Sequence, residues 1–330
     1  MHSFIYQCWF NKHPLRWLLL PLTLLFFLLS SFRKLLFSSG VKKASHPGVP
    51  VVVVGNISVG GNGKTPLVLK TIEWLIELGY KPGILSRGYG GTCENFPHKV
   101  TEQDTASLVG DEPKLMSLRN LCPVIIDPKR ARGAKALADV GCNVIVCDDG
   151  LQHYGLKRDI EWVVMDNRGV GNGWLLPMGP LRELAGRLKH VDAVIHNGDN
   201  PYVENAYSMS LATTRFVNIV DTNITRSIEE FVSGAKQEKL QAMAGIGAPQ
   251  RFFDTLSSIG LNDIETHEFI DHHVYTKSDI PSGVTVMTEK DAVKCKPFAH
   301  SNCWYLEVDA KLPRALKENL AIKLRDCYGV

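Results

Sequence analysis

The sequence predicts an α/β protein: a doubly wound, mostly parallel sheet, a second and smaller α/β unit, and an apolar helix at the N-terminus. Three observations carry this. A run of β-branched residues, Val51-Val52-Val53-Val54, leads into a glycine-rich turn and then an apolar-periodic helix. Beyond it, short apolar strands alternate with helical segments, the pattern of crossover-connected parallel strands. Before it, residues 17–29 are apolar apart from Thr23.

The apolar run comes first in the chain. With Ser30-Ser31-Phe32 it falls slightly short of the roughly 20 residues that span a bilayer. Lys12 and Arg16 precede it, and Arg33, Lys34, Lys42 and Lys43 follow. No small-x-small cleavage site follows, which argues against a secretory signal. The run reads as a membrane anchor, spanning or interfacial, over residues 1–46 with its basic linker. The larger basic cluster on its C-terminal side predicts a cytoplasmic body near anionic headgroups.

Charge supports this division. The net charge is +3, yet no Asp or Glu occurs before Glu73. From there on, 29 Lys and Arg stand against 34 Asp and Glu. A nucleic-acid-binding body would be basic, so no nucleic-acid partner is expected. Eight cysteines include no C-x-x-C pair and no zinc spacing, so reduced and mostly buried thiols are expected.

Residues 47–225 read as the first α/β unit. Its strands are 49–54, 82–86, 124–126, 143–147, 160–165 and 193–196, and its helices are 66–78, 114–118 and 130–140. The texture changes near 222–226. Residues 226–330 then give strands 240–245, 264–269, 284–287 and 304–308, with helices 249–259 and 290–295. In such sheets ligands sit beyond the carboxyl ends of the strands. Arg87, Tyr89, Asp148 and Asp149 all fall at such ends.

Ser58-Val59-Gly60-Gly61-Asn62-Gly63-Lys64-Thr65-Pro66 lies between the first strand and first helix of that unit. Strand, glycine loop, Lys-Thr and helix describe a phosphate-binding loop, so the fold is P-loop kinase-like. Loop N–H groups and the helix N-terminus suit phosphate oxygens. Lys64 would reach the β- and γ-phosphates of ATP, and Thr65 would ligate Mg²⁺. Ser58 stands where the general pattern has its first glycine, and Pro66 is tolerable in a first helical turn.

Acids follow. In a P-loop protein one of Asp148 and Asp149 would hold Mg²⁺ or its water. Asp111 opens a helix, as an N-cap or as a catalytic carboxylate. A kinase needs a group to orient or deprotonate the acceptor hydroxyl, and Asp111 with His272 across a cleft is a candidate pair. Arg182 suits an anionic group of the substrate.

Together these motifs resemble the tetraacyldisaccharide 4′-kinases, the lipid A 4′-kinases of Gram-negative bacteria. The matching runs are the loop from Gly55 to Pro66, Ser86-Arg87-Gly88-Tyr89-Gly90, Gly110-Asp111-Glu112-Pro113, and Asp148-Asp149-Gly150-Leu151-Gln152-His153. They continue with Gly171-Asn172-Gly173-Trp174-Leu175-Leu176-Pro177 on to Arg182-Glu183, Gly245-Ile246-Gly247-Ala248-Pro249 with Arg251-Phe252-Phe253, Asp271-His272-His273, and Met287 to Cys295. The resemblance implies transfer of the ATP γ-phosphoryl group to the 4′-hydroxyl of a tetraacylated glucosamine disaccharide 1-phosphate, giving lipid IV-A. It implies a site between two α/β domains at the cytoplasmic face of the inner membrane, with Mg²⁺ and no obligate protein partner. Asp111 would be the catalytic carboxylate and His272 its partner, His272 rather than His273 because the family motif is Asp-His and then a variable residue. Lys64 and Thr65 would serve ATP and Mg²⁺, and Asp148 and Asp149 the metal. Arg87, Tyr89, Gln152, Arg182 and Glu183 would face the substrate. The competing readings are a membrane-associated P-loop ATPase switch with a protein partner, and a kinase for a soluble sugar or nucleotide.

Overall fold

The structure is a computed structural model that describes residues 2–11, 13–235 and 239–328, so Lys12 of the basic flank lies outside it. In chain order the strands are β1 Val51–Gly55, β2 Pro82–Ser86, β3 His98–Lys99, β4 Val124–Ile126, β5 Val144–Asp148, β6 Ile160–Asp166, β7 Ala193–Asn197, β8 Tyr207–Asn218, β9 Thr225–Ser227, β10 Leu240–Ala244, β11 Ile264–Glu268, β12 Val284–Thr288 and β13 Cys303–Lys311. The helices are α1 His2–Phe10, α2 Leu20–Ser38, α3 Lys64–Glu77, α4 Ala106–Val109, α5 Asp111–Leu118, α6 Arg130–Asp139, α7 Ile228–Ala235, α8 Pro249–Ser258, α9 Glu289–Cys295 and α10 Arg314–Tyr328.

Among the described residues one sheet of 13 strands runs through the whole body, in the order β11-β10-β12-β13-β8-β7-β6-β1-β5-β2-β4-β3, with β9 on β8. Strands β1, β2, β5, β6 and β10 are wholly or almost wholly buried apolar runs, as a sheet covered on both faces requires. β8 joins the two halves: its start pairs parallel with β7 and the strand pairs antiparallel with β13. The sequence reading missed β8, because Ser208, Ser210, Thr213, Thr214 and Arg215 break its apolar pattern and the strand is largely uncovered until Phe216, Val217 and Asn218, which are all buried. It also missed α10. That helix sends Leu316, Leu320 and Leu324 into the same core as Leu67, Ile72 and Trp162.

The N-terminal segment does not stand apart from the body. Trp9 Nε1 donates to the Pro177 carbonyl at 2.8 Å, and Asn172 Nδ2 donates to the Cys8 carbonyl at 3.0 Å. Thr23, the one polar residue of the apolar run, is the buried residue of α2. Its hydroxyl accepts from Met178 N–H at 3.1 Å. Outward, Leu18, Leu28, Leu29 and Phe32 are 74%, 62%, 62% and 59% exposed. A continuous apolar surface of that kind marks an interaction site rather than an ordinary solvated face. Among the described residues, the stretch Pro14–Ser38 is the one helix long and apolar enough to cross a membrane.

Candidate active site

The glycine loop is shaped by its own backbone and fastened from outside. Gly63, at φ 92°, holds the N-cap position of α3, so Lys64, Thr65 and Pro66 form the first helical turn. That is two residues earlier than the sequence suggested. A Cβ at Gly63 would meet Asn197 Nδ2 at 2.7 Å, and one at Gly60 would meet Arg168 Nη1 at 2.6 Å. Ser58 is buried, and its Oγ accepts from Asn62 Nδ2 at 3.2 Å. Val59 N–H donates to the Pro180 carbonyl at 2.9 Å. Arg168, held by Asp166 at 2.8 Å, donates to Asn62 Oδ1 at 2.6 Å and to the Gly61 carbonyl at 3.2 Å. Arg168 was not anticipated. The rule that singled out Asp148 at the end of β5 applies equally to the end of β6, where Asp166 and Arg168 lie.

The acids sit beside this loop because β5 pairs with β1 in register, Val54 against Asp148. Asp148 is buried, and Ser86 Oγ donates to its Oδ2 at 3.2 Å. Its Oδ1 has no partner. Burial, with Asp149 alongside, pushes its carboxyl up to about 6. Asp149 has a positive φ of 50° and the opposite environment. Lys64 Nζ lies 3.9 Å away and Arg182 Nη1 2.9 Å away. Burial opposes its charge, but Lys64 and Arg182 outweigh burial and hold its carboxyl below the usual range. The two neighbours are therefore unlike: one buried acid with an unpartnered oxygen, one ion-paired acid.

Gln152 Nε2 donates to Glu183 Oε1 at 2.6 Å, which ties two of the anticipated substrate residues together. Arg87 lines the same cleft. His153, unassigned in the sequence reading, lies nearby; burial and the charges of Arg130, Arg33 and Arg87 pull it down to about 4, so its ring is neutral.

Opposite the loop, α5 begins at Asp111. Gly110 takes the N-cap position, so Asp111 is the first helical residue and not the cap. His272 Nδ1 lies 3.1 Å from Asp111 Oδ2, across 161 residues of chain. Burial pushes the Asp111 carboxyl above its ordinary value against the pull of Lys294, Lys290 and His272. His272 adopts φ 61°, a strained conformation for a side chain of its size. The Tyr89 ring meets it edge-on at 5.9 Å. His273 turns away, onto Phe269, Tyr275 and Asp279.

A single cleft of about 1940 Å³ connects these parts. Val59 to Pro66, Asp148, Asp149, Arg182, Glu183, Tyr89 and His272 line it, and so do Phe27, Leu29, Arg33 and Lys34 from α2. Ser58 and Asp111 stand one layer behind, each bonded to a lining residue. Among the described residues no group of three or more His, Cys, Asp or Glu is arranged to hold a metal alone. The orphaned Asp148 oxygen and the Thr65 hydroxyl in the cleft wall fit Mg²⁺, which takes one or two carboxylates and completes its shell with phosphate and water.

Comparison with known proteins agrees with this geometry. The family model described as tetraacyldisaccharide-1-P 4′-kinase, LpxK, matches residues 15–325. The tetraacyldisaccharide 4′-kinase of Pseudoalteromonas atlantica is 47% identical over 309 residues, 93% of this chain and 99% of that protein. That of Shewanella oneidensis is 46% identical over 331 residues, 98% and 96% of the two chains. The crystal structure titled "apo" form LpxK from Aquifex aeolicus in complex with ATP superposes with a TM-score of 0.77 at 27% identity, covering 94% of this chain and 99% of that one. With a family match over nearly its whole length and curated relatives near half identity, this chain belongs to the tetraacyldisaccharide 4′-kinase family.

Proposed function

We propose that the protein transfers the γ-phosphoryl group of ATP to the 4′-hydroxyl of a tetraacylated glucosamine disaccharide 1-phosphate, giving lipid IV-A. The observation that carries this is the one continuous cleft. It runs from the apolar and basic side of α2, past the glycine loop and Asp149, to His272. A kinase for a soluble acceptor has no use for that apolar end, and an ATPase switch has none for the Asp111–His272 pair.

In this reading the loop N–H groups and Lys64 hold the nucleotide phosphates, and the other loop residues, Ser58 to Pro66, keep that backbone in shape. The Asp111–His272 pair takes the proton of the acceptor hydroxyl, with His272 in the cleft wall and Asp111 bonded to it from behind. The acceptor oxygen bonds to the γ-phosphorus as the bond from phosphorus to the ADP oxygen breaks. Charge building on the transferring group is met by Lys64. Mg²⁺, held by Thr65 with Asp148 or Asp149, would neutralise charge between the β- and γ-phosphates when bound. Arg182 keeps Asp149 in place, and Arg87, Tyr89, Gln152 and Glu183 face the sugar.

The membrane surface would lie against α2, with Arg33, Lys34, Lys42 and Lys43 toward anionic headgroups at the cytoplasmic face of the Gram-negative inner membrane. Residues 47–225 and 226–330 would act as two lobes around the substrates, joined by a shared core in which Leu316, Leu320 and Leu324 meet Leu67 and Trp162. No obligate protein partner is required. Incubation with γ-³²P-ATP and the acylated disaccharide, followed by thin-layer chromatography, is expected to place label in the lipid. Phosphate release without labelled lipid would favour the switch. Transfer to a short-chain acceptor without detergent, at an equal rate, would favour the soluble-substrate kinase.

A further inference from the structure

The segment from Gly171 to Arg182 is bonded to the N-terminal helices on one side and to the glycine loop on the other. On the helix side, Met178 N–H donates to the Thr23 hydroxyl at 3.1 Å, Trp9 Nε1 to the Pro177 carbonyl at 2.8 Å, and Asn172 Nδ2 to the Cys8 carbonyl at 3.0 Å. The Trp17 and Trp174 rings meet edge-on at 5.9 Å. Gly171 permits the close approach: a Cβ there would meet Pro180 Cγ at 2.7 Å and Phe10 Cε1 at 3.1 Å. On the loop side, the Pro180 carbonyl accepts from Val59 N–H at 2.9 Å, Leu181 forms a bridge to Ser58, and Arg182 N–H donates to the Ile57 carbonyl at 2.7 Å. The Arg182 side chain then reaches on to Asp149.

Between these two sides the segment is stiff. Leu176 N–H donates to the Leu181 carbonyl at 2.9 Å, Leu181 N–H to the Trp174 carbonyl at 3.1 Å, and Gly179 N–H to the Leu175 carbonyl at 2.9 Å. Asn172 closes it, Nδ2 also donating to the Met178 carbonyl at 2.9 Å and Oδ1 accepting from Trp174 N–H at 3.1 Å. Leu175, Met178 and Leu181 are buried. A backbone whose polar groups are bonded internally and whose side chains are close-packed moves as a unit. A displacement of α2 therefore passes to Val59, the residue before Gly60, rather than being absorbed on the way.

We propose that this segment is a strap through which α2 positions the glycine loop, and that Thr23 is a positioning residue for the nucleotide. The proposal rests on the reading of that loop as the phosphate site. Thr23 is the buried residue of α2, while Leu22, Leu24 and Leu25 around it are exposed, and it does not itself line the cleft. Insertion into a membrane needs only the apolar face. A buried hydroxyl bonded to an amide of the body serves the body. Arg168 holds the far side of the same loop, at Gly61 and Asn62. The loop is thus held between two supports, and one of them is the helix that carries the apolar face. Its N–H groups must converge on phosphate oxygens, so a small displacement weakens all of them together.

Equilibrium binding of a non-hydrolysable ATP analogue with Mg²⁺ to the full-length protein in detergent micelles tests this without the acceptor lipid. Thr23→Val keeps the side-chain volume and removes the acceptor, and it is expected to weaken binding about 3- to 10-fold. In turnover the KM for ATP should rise by the same factor, with the KM for the acylated disaccharide within about twofold of its original value. Thr23→Ser restores the hydroxyl and should bind within about twofold of the unmodified protein. Trp9→Phe drops the bond to Pro177 and keeps a ring. It is expected to shift binding in the same direction, and it decides the matter if Thr23→Val does not fold. A lowered melting temperature with unchanged analogue affinity in the folded variants overturns the proposal, because the contacts then only attach the helix. Equal weakening in Thr23→Ser and Thr23→Val overturns it too. If the unmodified protein binds no analogue, the reading of the loop fails and this proposal with it; equal affinities across the variants sink this proposal alone.

Discussion

The proposed nucleotide side and the proposed acceptor side of the cleft are built in opposite ways. The glycine loop is one contiguous stretch whose shape comes from left-handed glycines and a helix start. The acceptor side joins residues 161 apart through side-chain contacts alone, between α5, α9 and the His272 loop. A backbone device is rigid and is spoiled mainly by changing the groups that touch phosphate. An ion-pair lattice between two elements can open and close, and it fails if one partner is lost.

Five measurements sharpen this contrast, in descending order of effect. Lys64→Ala is expected to lower kcat by about three orders of magnitude or more, since it removes charge from the transferring group; a loss under about tenfold would break the nucleotide side of the comparison. Asp111→Asn is expected to lower kcat about 10²- to 10⁴-fold with little change in the KM for ATP. In the unmodified enzyme the acid limb of kcat should lie above the ordinary range of an Asp carboxyl. Burial raises Asp111, so its base form is lost at a higher pH as the solution is acidified. A limb at ordinary Asp values would mean that another group titrates.

Arg119→Met tests the lattice away from the chemistry. It strands Glu289 and Asp309 and leaves Glu307 with Arg215 alone. A loss of about 3 kcal/mol in stability is expected from chemical denaturation, and ATP binding to the isolated loop side should survive. The smallest effect is predicted for Asp148, the acid proposed to face Mg²⁺. The folded-state value of Asp148 is raised to about 6 from 3.8, so its ionisation opposes folding increasingly between those pH values and fully above them. Asp148→Asn should therefore raise the melting temperature at pH 8 and lose that gain near pH 4. Equal gains at both pH values would show that the carboxyl is not desolvated as described.

The anchor belongs to the same contrast. Its sequence signal was local and strong, but its placement was not. Leu18→Ser, Leu25→Ser and Leu29→Ser together should weaken binding to anionic vesicles without unfolding the protein, since all three are exposed. Thr23→Val should instead disturb the body, because it removes the acceptor of a buried Met178 N–H.

What the chain determined by itself was whatever is written in contiguous residues. The valine run, the glycine loop, the acids ending β5 and the apolar N-terminal helix are each local patterns with a local physical cause, and they give the fold class and the proposed nucleotide site. The matching runs carried the pairing of Asp111 with His272 as an expectation only. Tertiary structure decided that His272 turns toward Asp111 while His273 turns away, that one Asp148 oxygen has no partner while Asp149 is ion-paired, and that Arg168 fastens the glycine loop. It also decided β8, whose polar face hides a strand that joins both halves, and α10, whose leucines enter the first core. Those outcomes depend on which strands lie side by side and which charges meet across them, and neither is encoded in any single stretch of the chain.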